Sequence, residues 1–301
     1  MGNKSHPLFE GIIDYAGLFP PAKLKLPDAF NSFLALQKGE FSWMVNRFVC
    51  PANQLADLAS LLQDQKPDAE FFVSVIGDWA DDFAEWESKL EINAQQMDSF
   101  FRQTDGLAEI AGLEIRIPSN KTPSALHDLK AFQHIDVYAE VPLNDQMAEN
   151  LAAVAETDWI KAKGRTGSIH ADQIPSPAAL TEFLIQALDL ELPFKLTAGL
   201  HEPLYHFDDG VGANLFGFLN IMAACSAHLQ QTLTPAEFEN ILTQTTSNDA
   251  AIQTGGWSWG DYRFSAAEVE SMRDCFEGFG SCSVDEPVEG LKRINMLGAQ
   301  V

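Results

Sequence analysis

Apolar and polar positions along the chain follow two alternating patterns. Short apolar runs of strand length are separated by stretches whose apolar residues recur at helical spacing. The first run, Gly11 to Ala16, ends in a Gly-Leu-Phe-Pro-Pro loop. A helix-compatible stretch from Pro27 to Lys38 follows, then a second run from Phe41 to Val49. Leu55, Leu58, Leu61 and Leu62 place an apolar stripe on a helix over Ala52–Gln63. Phe71–Ile76 is the third run, and an acidic amphipathic segment from Asp78 to Phe101 separates it from the fourth, Leu113–Ile117. Ile135–Val141 and Asp158–Lys163 are the fifth and sixth, with a helical stretch at Asn144–Ala155 between them. The Pro177–Leu190 helix precedes the seventh, Phe194–Ala198. The eighth, Phe276–Ser283, leads through Asp285-Glu286-Pro287 into a helical tail to Leu297.

Eight strands separated by helices imply βαβ repetition and a parallel sheet. Eight such units in 301 residues fit a single α/β domain, a (β/α)8 TIM barrel, better than an open doubly wound sheet. No strand runs into Gly-x-Gly-x-x-Gly and no phosphate-loop lysine motif occurs, so no cofactor is expected. The stretch from Gly210 to Arg263 does not fit one βα unit. It is expected to hold the seventh helix, a second helix over Thr234–Thr245 and an irregular Gly-Gly-Trp-Ser-Trp-Gly segment, as an insertion beside the barrel mouth. Trp257 and Trp259 there suit a lid, a dimer contact or the plug of the insertion's own small core.

Nineteen Lys and Arg against 43 Asp and Glu give a formal charge of −24. So acidic a surface repels phosphate backbones and anionic lipid, which argues against nucleic-acid and membrane partners. No apolar run reaches the length of a membrane span, and Met-Gly-Asn-Lys-Ser-His leads into no signal segment. The four cysteines, Cys50, Cys225, Cys275 and Cys282, form no Cys-x-x-Cys pair and suggest neither a disulfide framework nor structural zinc. A cytoplasmic protein with free thiols, able to form a homo-oligomer, is the expectation.

In such a barrel the working groups lie at the C-terminal ends of the strands. These ends offer Asp14, Arg47, Arg116, Glu140, Lys161, Lys163, Arg165, Lys195 and Thr197, then His201 and, after the eighth strand, Ser281 and Ser283. Six of the nineteen basic residues fall there, and a basic mouth on an acidic protein suits an anionic small molecule. Lys161 and Lys163 share one strand face, and Lys195 comes from the neighbouring strand. Crowding and burial of ammonium groups favour the neutral amine, so a lysine of lowered pKa is expected, as Schiff-base chemistry requires. Glu140 then relays protons or pairs with a lysine. Gly280, Ser281 and Ser283 precede a helix and suit an anion site, while Ser283 also fits an N-cap with Glu286 completing a capping box. Cys282 reads as a packed small residue.

The segment Lys163-Gly164-Arg165-Thr166-Gly167 resembles the Lys-Thr-Ser-Thr-Gly strand of deoxyribose-phosphate aldolase, a class I aldolase with a (β/α)8 fold. Phe194-Lys195-Leu196-Thr197-Ala198-Gly199 is similar to that family's Phe-Lys-x-x-Gly-Gly strand. Glu140 and Phe279-Gly280-Ser281-Cys282-Ser283 look like its fifth-strand glutamate and its Phe-Gly-x-Ser-Ser segment. The resemblance covers the second half of the chain. It implies that Lys163 forms the Schiff base and that Lys195 lowers its pKa. The family's catalytic aspartate on an earlier strand has Arg116 in its place. The whole chain also resembles bacterial proteins with a Gly-Ser-Cys-Ser-x-Asp-Glu-Pro tail.

Three functions are open at this point. The first is a cofactor-free, aldolase-like lyase acting on a phosphorylated or carboxylated carbonyl compound through an imine at Lys163, with Lys161 as the alternative nucleophile. The second is a metal-dependent sugar isomerase or hydrolase using Asp14, Glu140, His201 and His206. The third is a barrel that binds an anionic metabolite without turnover.

Overall fold

A computed structural model describes residues 5–118 and 120–298. Seven strands come first: β1 (Ile13–Tyr15), β2 (Val45–Pro51), β3 (Phe72–Ile76), β4 (Glu109–Arg116), β5 (Asp136–Glu140), β6 (Ile160–Arg165) and β7 (Phe194–Thr197). A hairpin of β8 (His206–Asp208) and β9 (Ala213–Leu215) follows, then an antiparallel sheet of β10 (Ala251–Gln253), β11 (Gly256–Trp259) and β12 (Tyr262–Ser265). The last strand is β13 (Phe276–Ser281). Among the described residues β1–β7 and β13 close in the order β1-β13-β7-β6-β5-β4-β3-β2, each neighbouring pair parallel. The fold is a (β/α)8 barrel.

Period-2 alternation determines what each side of this barrel presents. On β5, Val137 and Ala139 are buried against the surrounding helices, while Asp136, Tyr138 and Glu140 take the other face. On β6 the outward set is Ile160, Ala162 and Gly164, which leaves Lys161, Lys163 and Arg165 inside. Gly164 is a packing requirement: a Cβ there would stand 2.8 Å from the Phe183 ring. Phe183 lies on the helix Pro177–Asp189, which starts where the Ser176 side chain accepts from Ala179 N. That helix buries Leu180, Phe183, Leu184, Ala187 and Leu188 as one stripe. No helix among the described residues is long and apolar enough to cross a membrane.

The segment between β7 and β13 holds the two expected helices and differs only in the Gly-Trp stretch, which is regular sheet. Its helix Phe218–Gln231 is buried nearly all round, with Phe218 stacked on Phe279 of β13 at 5.0 Å between ring centroids. A capping box of Thr234 and Glu237 starts the outer helix Pro235–Leu242. The Gly-Gly-Trp-Ser-Trp-Gly segment is the middle of the β10–β12 sheet. Trp257 and Trp259 are fully buried in it, Trp257 packing on Phe264 and Trp259 Nε1 donating to Gln244 Oε1 at 2.9 Å. The sheet lies against the helices Phe218–Gln231 and Ala266–Cys275, where Gln230 donates to the Arg263 carbonyl at 3.0 Å. The tryptophans therefore plug the insertion's own core, and their reading as a lid or dimer contact is corrected.

Candidate active site

Inward side chains form two polar layers, distinguished by their bonding partners, since Glu114 of the upper one is level in register with Tyr138 and Lys161 of the lower. The lower layer holds Arg47, Asp136, Tyr138, Lys161 and Glu277. Arg47 pairs with Asp136, and Lys161 Nζ lies 2.9 Å from Asp136 and 2.5 Å from Glu277. The Tyr138 hydroxyl donates to Glu277 at 2.5 Å. Burial acts to raise the Asp136 carboxyl, but the bonds from Lys161 and Arg47 outweigh it and hold the group below its ordinary value.

This layer corrects two expectations. Lys161 and Arg47 do not stand at the mouth. Lys161 is level with Tyr138, whereas Lys163 is level with Glu140. Two residues along a strand keep the face but shift the depth by roughly 6.6 Å. Arg47 is deep because β2 runs from Val45 to Pro51, so this arginine stands near its start. Phe41–Met44, read as strand, contains a short helical turn at Ser42–Met44 instead.

The upper layer is built on Glu114, a residue absent from the sequence-derived site. It is 2% exposed and projects from the C-terminal half of β4 between two lysines. One carboxylate oxygen lies 3.0 Å from Lys163 Nζ, and the other lies 2.6 Å from Lys195 Nζ. Ser74 Oγ donates to the second oxygen at 2.7 Å. Lys163 also reaches Glu140 at 3.0 Å, and Lys195 also pairs with Asp14. Asp14 is tied in turn to the backbone N–H of Arg47 at 3.1 Å. The Lys195 ammonium stands 5.0 Å over the Tyr138 ring, which links the two layers.

These partners reverse the expected direction of the lysine pKa. Burial acts to lower both amines, but Glu114 and Glu140 push Lys163 well above its ordinary value. Asp14 and Glu114 do the same for Lys195. Burial likewise acts to raise Glu114, and Lys195 and Lys163 hold it far below the usual carboxylate range. A lysine pair judged from its cations alone looks destabilised; with its three carboxylates it is charged and compensated. Glu114 was legible only as a lone charge inside the apolar run Leu113-Glu114-Ile115. It stands two residues before Arg116 on the same face of β4.

The remaining polar groups lie at the mouth, Arg116 level with Glu140 and Lys163, and Arg165 two residues beyond Lys163. The Arg116 guanidinium stacks on Trp79 at 4.1 Å, and Arg165 Nε donates to the Gly167 carbonyl at 3.1 Å. Thr197 is level with Arg165 on one side and Gly280 on the other. His201 Nδ1 lies 2.9 Å from Glu286 and 3.4 Å from Ser281 Oγ. Ser281 Oγ donates to the Ser283 carbonyl at 2.6 Å, and Ser283 Oγ accepts from Glu286 N at 3.2 Å. The expected capping box is thus only half formed, because the Glu286 carboxylate turns to His201. Burial raises the Cys282 thiol, in keeping with a packed residue.

The donor set of the metal reading does not assemble. Asp14 and Glu140 are engaged by ammonium groups, His201 by Glu286, and His206 Nδ1 by the Leu204 carbonyl at 2.9 Å. Among the described residues no three His, Cys, Asp or Glu side chains are arranged to hold a metal ion.

No family model matches the chain, and no curated protein matches it in sequence. A solved structure does match in fold: the tetrameric deoxyribose phosphate aldolase from Aeropyrum pernix, at a TM-score of 0.50 and 10% identity, over 95% of this chain and 92% of that one.

Proposed function

We propose that this barrel is a cofactor-free, aldolase-like lyase that works through an imine at Lys163 on an anionic carbonyl compound. The observation that carries this reading is the single carboxylate of Glu114 bridging Lys163 and Lys195. It is supported by the fold shared with an aldolase. A homo-oligomer is in keeping with that protein's tetrameric state.

Lys163 is the better placed of the two amines. Its side chain is 6% exposed against 2% for Lys195, and its second partner Glu140 is 17% exposed. In the resting enzyme Lys163 is an ammonium, so it first gives a proton to Glu140. The free amine attacks the carbonyl carbon, the carbonyl oxygen takes up a proton, and the adduct loses water to leave an iminium. For a β-hydroxy substrate, a carboxylate then takes the hydroxyl proton and the carbon–carbon bond breaks. Its electron pair moves into the iminium to give an enamine, and an aldehyde departs. Protonation of the enamine carbon and addition of water return the ketone and Lys163. Condensation is the same sequence reversed. Lys195 stays charged between Asp14 and Glu114 and favours proton loss from its neighbour.

The test is turnover of a panel of carboxylated and phosphorylated β-hydroxy carbonyl compounds, with and without a chelator. Aldehyde release that ignores the chelator and disappears in Lys163→Met supports the reading. Activity that is lost to the chelator and regained with metal overturns it in favour of the metal enzyme. Ligand-induced stabilisation without turnover overturns it in favour of a binding barrel.

A further inference from the structure

Six cations face the barrel interior or its mouth. Arg47, Lys161, Lys163 and Lys195 each have a carboxylate within 4.0 Å. Among the described residues Arg116 and Arg165 have none. In a chain of formal charge −24, two guanidinium groups with no carboxylate in ion-pair contact, and a Glu140 between them that Lys163 already engages, leave a place for an anion from outside.

Both groups are presented for it. Trp79 covers one face of the Arg116 guanidinium and leaves its N–H edges open. Gly167 engages only Nε of Arg165, leaving both terminal nitrogens. The two arginines flank Glu140, and both act with Lys163, after the opposing effect of burial, to hold its carboxyl low. Arg116, Glu140 and Lys163 are level with one another on β4, β5 and β6. Adjacent strands are about 4.8 Å apart, so β4 and β6 lie roughly 10 Å apart, a gap that two long side chains close over β5.

The opposite rim does not offer such a place. Ser281 and Ser283 bond each other, and the Glu286 carboxylate already stands at His201. A phosphate arriving between the β7 and β13 loops would meet that negative charge.

We propose that Arg116 and Arg165 grip the carboxylate of a 2-oxo acid, which places the adjacent carbonyl carbon at Lys163. The guanidinium fork matches a planar carboxylate. An anion held at the level of Lys163 must be close in the substrate to the carbon attacked, as the carboxylate of a 2-oxo acid is. This inference rests on the imine reading for the role of Lys163. The covalent step is the one above: the C–N bond forms and the carbonyl oxygen leaves as water.

The experiment has two arms. Oxamate, which resembles pyruvate but forms no imine, is titrated into the wild type, Arg116→Gln and Arg165→Gln. Pyruvate, acetone and dihydroxyacetone phosphate are then each trapped with borohydride on the same proteins. Oxamate Kd is expected to rise at least tenfold in each variant, with equal inorganic phosphate failing to displace oxamate from the wild type. The pyruvate-to-acetone labelling ratio is expected to fall by a similar factor. Unchanged oxamate affinity in both variants overturns the proposal, as does arginine-dependent labelling by dihydroxyacetone phosphate but not by pyruvate. Arginine-dependent oxamate binding with no labelling by any carbonyl upholds the carboxylate site and overturns the imine reading alone.

Discussion

Lys163 and Lys195 are register partners on adjacent strands, and one carboxylate joins their ammonium groups. That carboxylate, Glu114, makes two buried like charges compatible. It also sets the electrostatic condition of the site, in which each amine must give up a proton to act.

Glu114→Gln keeps the shape and removes the charge. Breaking a buried pair in this way costs about 3–5 kcal/mol, read as a lowered urea midpoint. The same change removes a carboxylate that raises Lys163, so the pH at which Lys163 can be trapped as an imine moves downward. A trapping profile that stays in place, or moves upward, contradicts the arrangement.

Stability should be flat between about pH 7 and pH 8.5, bounded below by His6, which burial holds under its ordinary 6.5, and above by the buried thiols of Cys50, Cys225, Cys275 and Cys282, which burial raises above 9.0. Glu114, Glu140 and Asp136 sit below their ordinary values, 4.5 for the glutamates and 3.8 for the aspartate. Their contribution is present above those values and is lost as the pH falls through the lowered ones. Lys163 and Lys195 sit above 10.5, so their contribution is present below that value and is lost as the pH rises beyond it. Thermal melts across this range check the plateau. A Tm that falls steadily between about pH 7 and pH 8.5, below the range in which the thiols act, contradicts charged, paired lysines.

Lys161→Met separates the two layers. It leaves Asp136 with Arg47 alone and Glu277 with only the Tyr138 hydroxyl, and should destabilise the fold by about 1–3 kcal/mol. Borohydride labelling at Lys163 should survive it. Loss of labelling in a variant that still melts cooperatively would return Lys161 to the reaction.

Gly164→Ala tests the packing that sets the position of Lys163. The added methyl would meet the Phe183 ring at 2.8–2.9 Å and Leu196 at 3.0 Å. Overpacking of this kind costs about 1–3 kcal/mol. A Tm equal to that of the wild type would show that the helix Pro177–Asp189 can give way.

The barrel was legible because its strands carry an apolar set for the helices, as Val137 and Ala139 do on β5. Position at the strand ends identified Lys163, Lys195 and Glu140, and alternation put Lys161 on the face of Lys163. It could not identify depth, which depends on pairing between strands distant in sequence, so Lys161 and Arg47 were placed too high. Glu114 escaped because one charge in an apolar run gives no period. Missing it reversed the sign of the lysine pKa, since the cations were counted without their shared anion. For Trp257 and Trp259 the sequence left a lid, a dimer contact and a core plug open, because a Gly-rich surround fits a loop as well as a turn; Gly255, at φ +80, makes the turn between β10 and β11, and the plug is what forms.

The most direct test of the central claim is peptide mapping after borohydride treatment with pyruvate. The account predicts one covalent adduct, on Lys163, absent in Lys163→Met and retained in Lys161→Met. An adduct confined to Lys161 or Lys195, or none with any carbonyl compound at any pH at which the protein stays folded, would contradict it.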